Sequence, residues 1–257
     1  VLPRPAPPRR RLPHSTTSFV YPLRTTPQVV TIHDLHFMRQ RRHATSLGGR
    51  LWGRSLARDL RRADRVLAVS DQTRRDVLRT FDCPPDRVVT VHEGVDGFFL
   101  ESPPDGEVAE VSRSLGLEPG RYLFWVGTFE PRKNLERLVD AYLSLHDGRH
   151  PAPPPRVLAG QAGFGCEELL QRLDSDPVLR TNVIRPGFVD DRQLRALYHG
   201  AAVFVFPSLW EGFGLPPLEA MACGAPVVAS DRSAIPEVLG DAYVGVPPED
   251  PAALAQR

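Results

Sequence analysis

The sequence predicts a doubly wound α/β protein built on two parallel sheets, and three observations carry that expectation. Short β-branched apolar runs recur along the chain as continuous stretches, not alternating with polar residues, which suits strands covered on both faces. Amphipathic stretches of helical period separate them, and repeated strand, helix, strand is the pattern of parallel sheets closed by crossovers. At 257 residues, with 41% hydrophobic and 25% charged residues, the chain has the length for two domains and the composition to bury a core in each.

The first strand is expected at residues 28–32 (QVVTI), after a Pro- and Arg-rich opening that does not begin with Met and reads as trimmed, so the first domain is expected to be incomplete. A helix follows over 47–63, with Leu47, Leu51, Leu56, Leu60 and Ala63 placed on one face and Arg50, Arg54, Arg58, Arg61, Arg62 and Arg65 leaving it. After a strand at 66–69, Ser70 and Asp71 are cap candidates for a helix over 71–80, and another strand is expected at 88–91. Residues 91–107 carry Gly, Pro and acids without periodicity, which places a junction near residue 100: a partial first domain 1–100 and a second domain 101–257. In the second, strands at 122–126, 156–160, 202–206 and 226–230 alternate with helices near 134–146, 167–173, 190–199 and 216–223, Asn134 being the expected cap of the first.

Charge divides the chain the same way. Residues 1–80 hold seventeen Arg and five acids, net +12; the remainder holds fifteen basic and twenty-six acidic residues, net −11. The basic part favours an anionic partner, whether phospholipid, nucleic acid or a phosphorylated acceptor. Thirty-one of the 32 basic residues are Arg; the single Lys is Lys133. Three cysteines (Cys83, Cys166, Cys223) without C-x-x-C spacing argue against a disulfide framework or structural zinc and for a reducing, cytoplasmic setting. No apolar run approaches the ~18–20 residues of a membrane span, and the first residues lack the apolar core of a secretory signal.

Ligands of an open parallel sheet bind beyond the carboxyl ends of its strands, so the residues just after each run matter most. YLFWV leads into Gly127-Thr-Phe-Glu-Pro-Arg-Lys-Asn134. Gly127 permits close backbone approach, Arg132 offers a planar fork, Lys133 a compact charge, and the helix start attracts anions. Together they suit a diphosphate; a solvated Arg–Lys pair is the plainer alternative. AVFVF leads into a glycine-bearing loop and a helix expected to begin at Pro216 or Pro217, with Glu211 in the loop and Glu219 in the first helical turn. Two carboxylates brought together by that loop suit the hydroxyls of a sugar; the alternative makes Glu219 a favourable acid at a helix start. His33 ends the first strand beside Asp34, and on physical grounds alone is more readily structural. His33 with His36 lacks a third metal ligand, Asp174-Ser-Asp176 reads as a solvated turn, and GQAGFG (160–165) departs from the dinucleotide fingerprint, so no metal site is expected.

The pair Glu211 and Glu219, seven residues apart within PSLWEGFGLPPLEAMACGAPVVAS, resembles the E-x7-E signature of the retaining GT-B glycosyltransferases of group 1, or family 4. VGTFEPRKNLERLVDAY, VTIHDL and ADRVLAVSDQTRRDVL resemble further stretches of that family, and the likeness runs through residues 28–248. The resemblance implies two Rossmann-like domains and a nucleotide-sugar donor held mostly by the second. By position, Arg132 and Lys133 match the family's diphosphate pair, Glu211 the acid that touches the donor sugar, and Glu219 the one that holds the ribose. Gly212, Phe213 and Gly214 match the loop whose amides approach sugar and phosphate, with Gly127 and Leu215 counted in the same donor site. GFVDD (187–191) resembles the segment whose backbone at Phe188 and Val189 meets the base, and His33, with Asp34, matches the first-domain histidine that reaches the donor sugar.

These matches imply a metal-independent hexosyltransferase without a resident cofactor, using GDP-mannose, with UDP-glucose as the alternative donor. The acceptor is expected to be a hydroxyl, lipid-linked at an anionic membrane face that the basic domain would contact, and no nucleic acid is expected. Two rival readings are a glycosidase using Glu211 and Glu219, which leaves Arg132 and Lys133 without a purpose, and a nucleotide-sugar-binding module without turnover.

Overall fold

The computed structural model describes residues 12–16, 26–39, 47–146 and 153–256. The chain divides into two compact units, residues 1–92 and 93–257. The expected junction near residue 100 falls later than this division, and packing explains the difference. The 3-10 turn Gly97–Leu100 buries Phe99, whose ring meets that of Tyr198 edge-on at 6.0 Å in the core of the second unit.

In the first unit, strands β1 (His14–Ser15), β2 (Val29–Ile32), β3 (Arg65–Ala68) and β4 (Val88–Thr90) form a parallel sheet in that order, with helices α1 (His36–Arg39), α2 (Leu47–Arg62) and α3 (Asp71–Thr80) between them. Val30, Ile32, Val66 and Ala68 make its core with Leu56, Leu60 and Val77 from the helices. Ser70 caps α3 as expected, its side chain accepting from the Thr73 amide. The expected apolar face of α2 is corrected at one position: Leu51 is 56% exposed. The buried stripe runs through Gly53, Leu56, Leu60 and Ala63, at three- and four-residue steps, and the five-residue step from Leu51 to Leu56 turns Leu51 away from it. Leu47 and Arg50 have side chains outside the described set.

The second unit is a six-stranded, all-parallel sheet in the order β10-β9-β8-β5-β6-β7. Its strands are β5 (Leu123–Val126), β6 (Arg156–Ala159), β7 (Val183–Gly187), β8 (Val203–Phe206), β9 (Val227–Ser230) and β10 (Val244–Val246). Its helices are α4 (Glu107–Ser114), α5 (Leu135–Ser144), α6 (Glu167–Ser175), α7 (Pro177–Asn182), α8 (Asp191–Gly200), α9 (Leu215–Ala222), α10 (Ile235–Leu239) and α11 (Pro251–Ala255). From β5 the chain adds β6 and β7 on one side, then returns to place β8, β9 and β10 on the other. The sheet therefore reverses between β5 and β8, the topological switch point at which ligands of such sheets bind. Burial on both faces makes the inner strands β5, β6, β8 and β9 largely apolar runs, and Tyr122, Phe124, Trp125, Tyr142, Tyr198, Phe204 and Phe206 fill the core. All three cysteines are buried with free thiols, and no described helix is long and apolar enough to cross a membrane.

Candidate functional site

The loops after β5 and β8 leave the sheet on either side of the switch point. Where β5, β6 and β7 end, three glycines meet. The Gly127 amide donates to the Ala159 carbonyl at 3.0 Å, and the Gly160 amide to the Gly187 carbonyl at 2.7 Å. Gly160 has φ +129°, and a Cβ there would stand 1.9 Å from the Gly127 oxygen. The strand ends thus present bare backbone, which only glycine allows.

Beyond Gly127 the chain makes a 3-10 turn, Pro131–Lys133, and Asn134 follows in the left-handed region at φ +61°. The expectation that Asn134 caps α5 holds in position but not in chemistry. Its Nδ2 donates to the Pro207 and Pro248 carbonyls at 3.0 and 2.6 Å, leaving the helix amides uncapped by it. The Leu209 amide donates to the Arg132 carbonyl at 2.8 Å, completing a seam that fastens the β5 loop to the β8 loop.

On that seam sit the three residues expected to handle charge. Lys133 Nζ donates to Glu211 Oε1 at 2.8 Å, and Arg132 Nη1 to Glu211 Oε2 at 2.8 Å. Glu211 and Lys133 are each only 7% exposed, and the ammonium also lies 5.0 Å from the centre of the Phe206 ring. Arg132 is held in turn by Glu130 Oε2 and the Trp210 carbonyl, each at 3.2 Å. Burial by itself raises the pKa of Glu211, but the charges of Lys133 and Arg132 outweigh it and hold the carboxyl below its ordinary value. Ser233, at φ +61°, accepts from the Glu211 amide at 3.1 Å and donates to its carbonyl, fixing the backbone of the loop.

Glu219 differs from expectation in position. The helix α9 opens at Leu215, one residue before Pro216, so Glu219 lies past the first turn and is not an acid at a helix start. Its Oε2 accepts from Tyr198 Oη at 3.0 Å. Burial raises its pKa, and the charges of Asp191 and Asp96 add to this while the Tyr198 bond opposes it. Between the two carboxylates, Gly212, Phe213 and Gly214 are buried, and Gly214 is confined to glycine by φ +110° and by Ile235, 2.6 Å from where a Cβ would sit. Past β7, Phe188 is 74% exposed and Val189 buried.

His33 and Asp34 belong to the first unit, at the carboxyl end of β2. His33 Nε2 lies 3.0 Å from the Thr16 carbonyl, which can only accept, so this nitrogen carries the proton. Asp34 Oδ1 accepts from the His36 amide at 3.0 Å. Asp174 lies in the last turn of α6, not in the solvated turn expected, and pairs with Arg185, while Asp176 caps α7 through the Val178 and Leu179 amides. Among the described residues no three His, Cys, Asp or Glu side chains gather as a metal would need. Ser233 and Tyr198 were not singled out by sequence reasoning. A serine in the left-handed region and a tyrosine inside an apolar helix face carry no local mark of their task.

Two doubly wound parallel-sheet domains in succession, the second with a cation pair and a buried carboxylate at its switch point, have the architecture of the GT-B class of glycosyltransferases. Residues 120–257 match the family model for glycosyl transferases group 1, and residues 12–97 that for glycosyltransferase family 4. The chain belongs to the group 1, family 4 glycosyltransferases. It is 36% identical over 239 residues to O-antigen chain mannosyltransferase B of Escherichia coli, covering 93% of this chain and 62% of that protein. It is 34% identical to α-maltose-1-phosphate synthase of Mycolicibacterium smegmatis, covering 86% and 57%. The crystal structure of Anabaena HepE in complex with UDP-glucose superposes with a TM-score of 0.74 at 23% identity, covering 90% and 61%. The chain spans less than two thirds of the length of each.

Proposed function

We propose that this chain transfers a hexose from a nucleoside-diphosphate sugar to a hydroxyl acceptor with retention of configuration, the donor being GDP-mannose. The observation that carries the reading is the Lys133–Glu211–Arg132 contact at the switch point, with both cations 2.8 Å from one carboxylate. The mannosyltransferase among the relatives supports mannose. UDP-glucose is the second donor reading, favoured by the HepE complex.

In this reading Glu211 keeps the two cations charged and in place until a diphosphate takes their donors. The carboxylate is then released to accept hydroxyls of the donor sugar. The bond from the anomeric carbon to the diphosphate oxygen breaks as the acceptor oxygen bonds to that carbon on the same face. The acceptor's proton leaves with the nucleoside diphosphate. Negative charge grows on the departing oxygen, and Arg132 and Lys133 stabilise it from fixed positions, where such preorganised charge is most effective. Glu219 holds the ribose, Phe188 and Val189 meet the base, and Gly127, Gly212, Phe213, Gly214 and Leu215 approach sugar and phosphate. No metal is invoked. The net +12 of residues 1–80 favours an acceptor presented at an anionic membrane face.

Replacing Lys133 or Glu211 by Ala is expected to lower transfer at least about a hundredfold, the scale of one lost oxyanion donor. EDTA should leave the rate unchanged. Near-normal turnover of either variant, measured as nucleoside diphosphate released with acceptor present, would refute the assignment.

A further inference from the structure

Glu219 can hold a ribose only if its carboxylate stands still, and the residue that stills it comes from another element. Tyr198, on α8, is fully buried and donates its phenol proton to Glu219 Oε2 at 3.0 Å. Its ring is walled by three others, edge-on to each: Phe204 at 5.2 Å, Phe124 at 5.3 Å and Phe99 at 6.0 Å between centroids. Two of those walls are strand residues of β5 and β8, the pair that flanks the switch point. The helix itself is anchored by a complete capping box, Asp190 with Gln193. Aromatic neighbours on three sides and full burial confine the ring, so the hydroxyl is a held donor. One carboxylate oxygen of Glu219 is thereby occupied; the other, Oε1, is neither buried nor bonded among the described residues.

We propose that Tyr198 is a positioning residue for nucleotide recognition: by holding Oε2 it aims Oε1 at a ribose hydroxyl, and so makes the site select ribonucleotides over nucleotides lacking that hydroxyl. The inference rests on the reading that Glu219 receives the ribose. Tyr198 itself touches no substrate in this account. The core of the sheet, through one phenol, sets the direction of a carboxylate at its edge.

The test compares affinities for GDP and 2′,3′-dideoxy-GDP by calorimetry, with UDP and its dideoxy form in parallel. Wild-type protein should prefer the ribonucleotide by about tenfold or more, as expected for hydrogen bonds to a charged group. Tyr198→Phe removes one oxygen and keeps the packed ring; it should bring that preference close to unity with little change in dideoxynucleotide affinity. Tyr122→Phe is the control for a lost buried phenol. Tyr122 donates to the Leu197 carbonyl at 2.9 Å and not to Glu219, and this variant should keep the full preference. Phe99→Leu, which removes one wall and leaves the hydroxyl, should lower the preference in part and serves if Tyr198→Phe does not fold. Full preference retained in Tyr198→Phe, or in Phe99→Leu where that variant stands in, overturns the proposal, as does equal loss in the Tyr122→Phe control. Wild-type protein that binds GDP or UDP without any ribose preference overturns instead the assignment of Glu219, and this proposal with it.

Discussion

Two carboxylates of one loop and helix titrate in opposite directions, and the reason is the company each keeps. Glu211 is held below its ordinary pKa by Lys133 and Arg132, whereas Glu219 is raised by burial with Asp191 and Asp96 nearby. The signs for stability follow. Glu211 contributes stability at pH values above the ordinary carboxylate range and loses it as pH falls through its lowered folded pKa. Glu219 does the reverse: the folded state binds its proton more tightly than the unfolded chain, so stability falls as pH rises from the ordinary value through the raised one. Glu219→Gln is therefore expected to raise the melting temperature by a few degrees at neutral pH while weakening ribonucleotide binding, and the stability gain should vanish below the ordinary carboxylate range. A neutral-pH melting temperature that falls would contradict this. Much of this chemistry was legible in the sequence because charged residues at strand ends announce themselves. The spacing of Glu211 and Glu219 and the solitary Lys133 pointed to the site, and Glu211 does meet Lys133. Tyr198 was not legible, since its ring belongs to the core and only its oxygen to the site.

At the scale of elements, the strands buried on both faces read directly from sequence, because double burial demands unbroken apolar runs. Those that escaped notice are short or lie at an edge. β7 carries Arg185-Pro186-Gly187, which reads as a breaker, yet an edge strand has one side on which a missing amide costs nothing. β1 and β10 span only two and three residues. Arg156 was read as the start of a strand and is the first residue of β6, but its burial was not legible in the sequence. Its guanidinium stacks on Tyr142 and donates to the Leu138 carbonyl, with burial lowering its pKa to about 9. The joining of elements matters most where β5 and β6 end. Gly160→Ala would force a side chain into the Gly127 carbonyl at a backbone angle that L residues avoid. Strain and overpacking together predict a loss of about 3 kcal/mol or more. A urea midpoint unchanged from wild type would show that the strand ends can part without cost.

For the whole molecule, two separate cores and an uneven distribution of charge assign different tasks to the two units. The second carries Arg132 and Lys133, both glutamates and the residues that fasten them; the first carries His33, Asp34 and the excess of arginine. Donor recognition should then depend on the diphosphate and on Lys133 above all. Calorimetric titration of wild-type protein and Lys133→Ala with GDP and with GMP, and with UDP and UMP, tests this most directly. In wild-type protein one diphosphate should bind at least about tenfold more tightly than its monophosphate, and Lys133→Ala should erase most of that difference. Equal binding of diphosphate and monophosphate in both proteins would contradict the account.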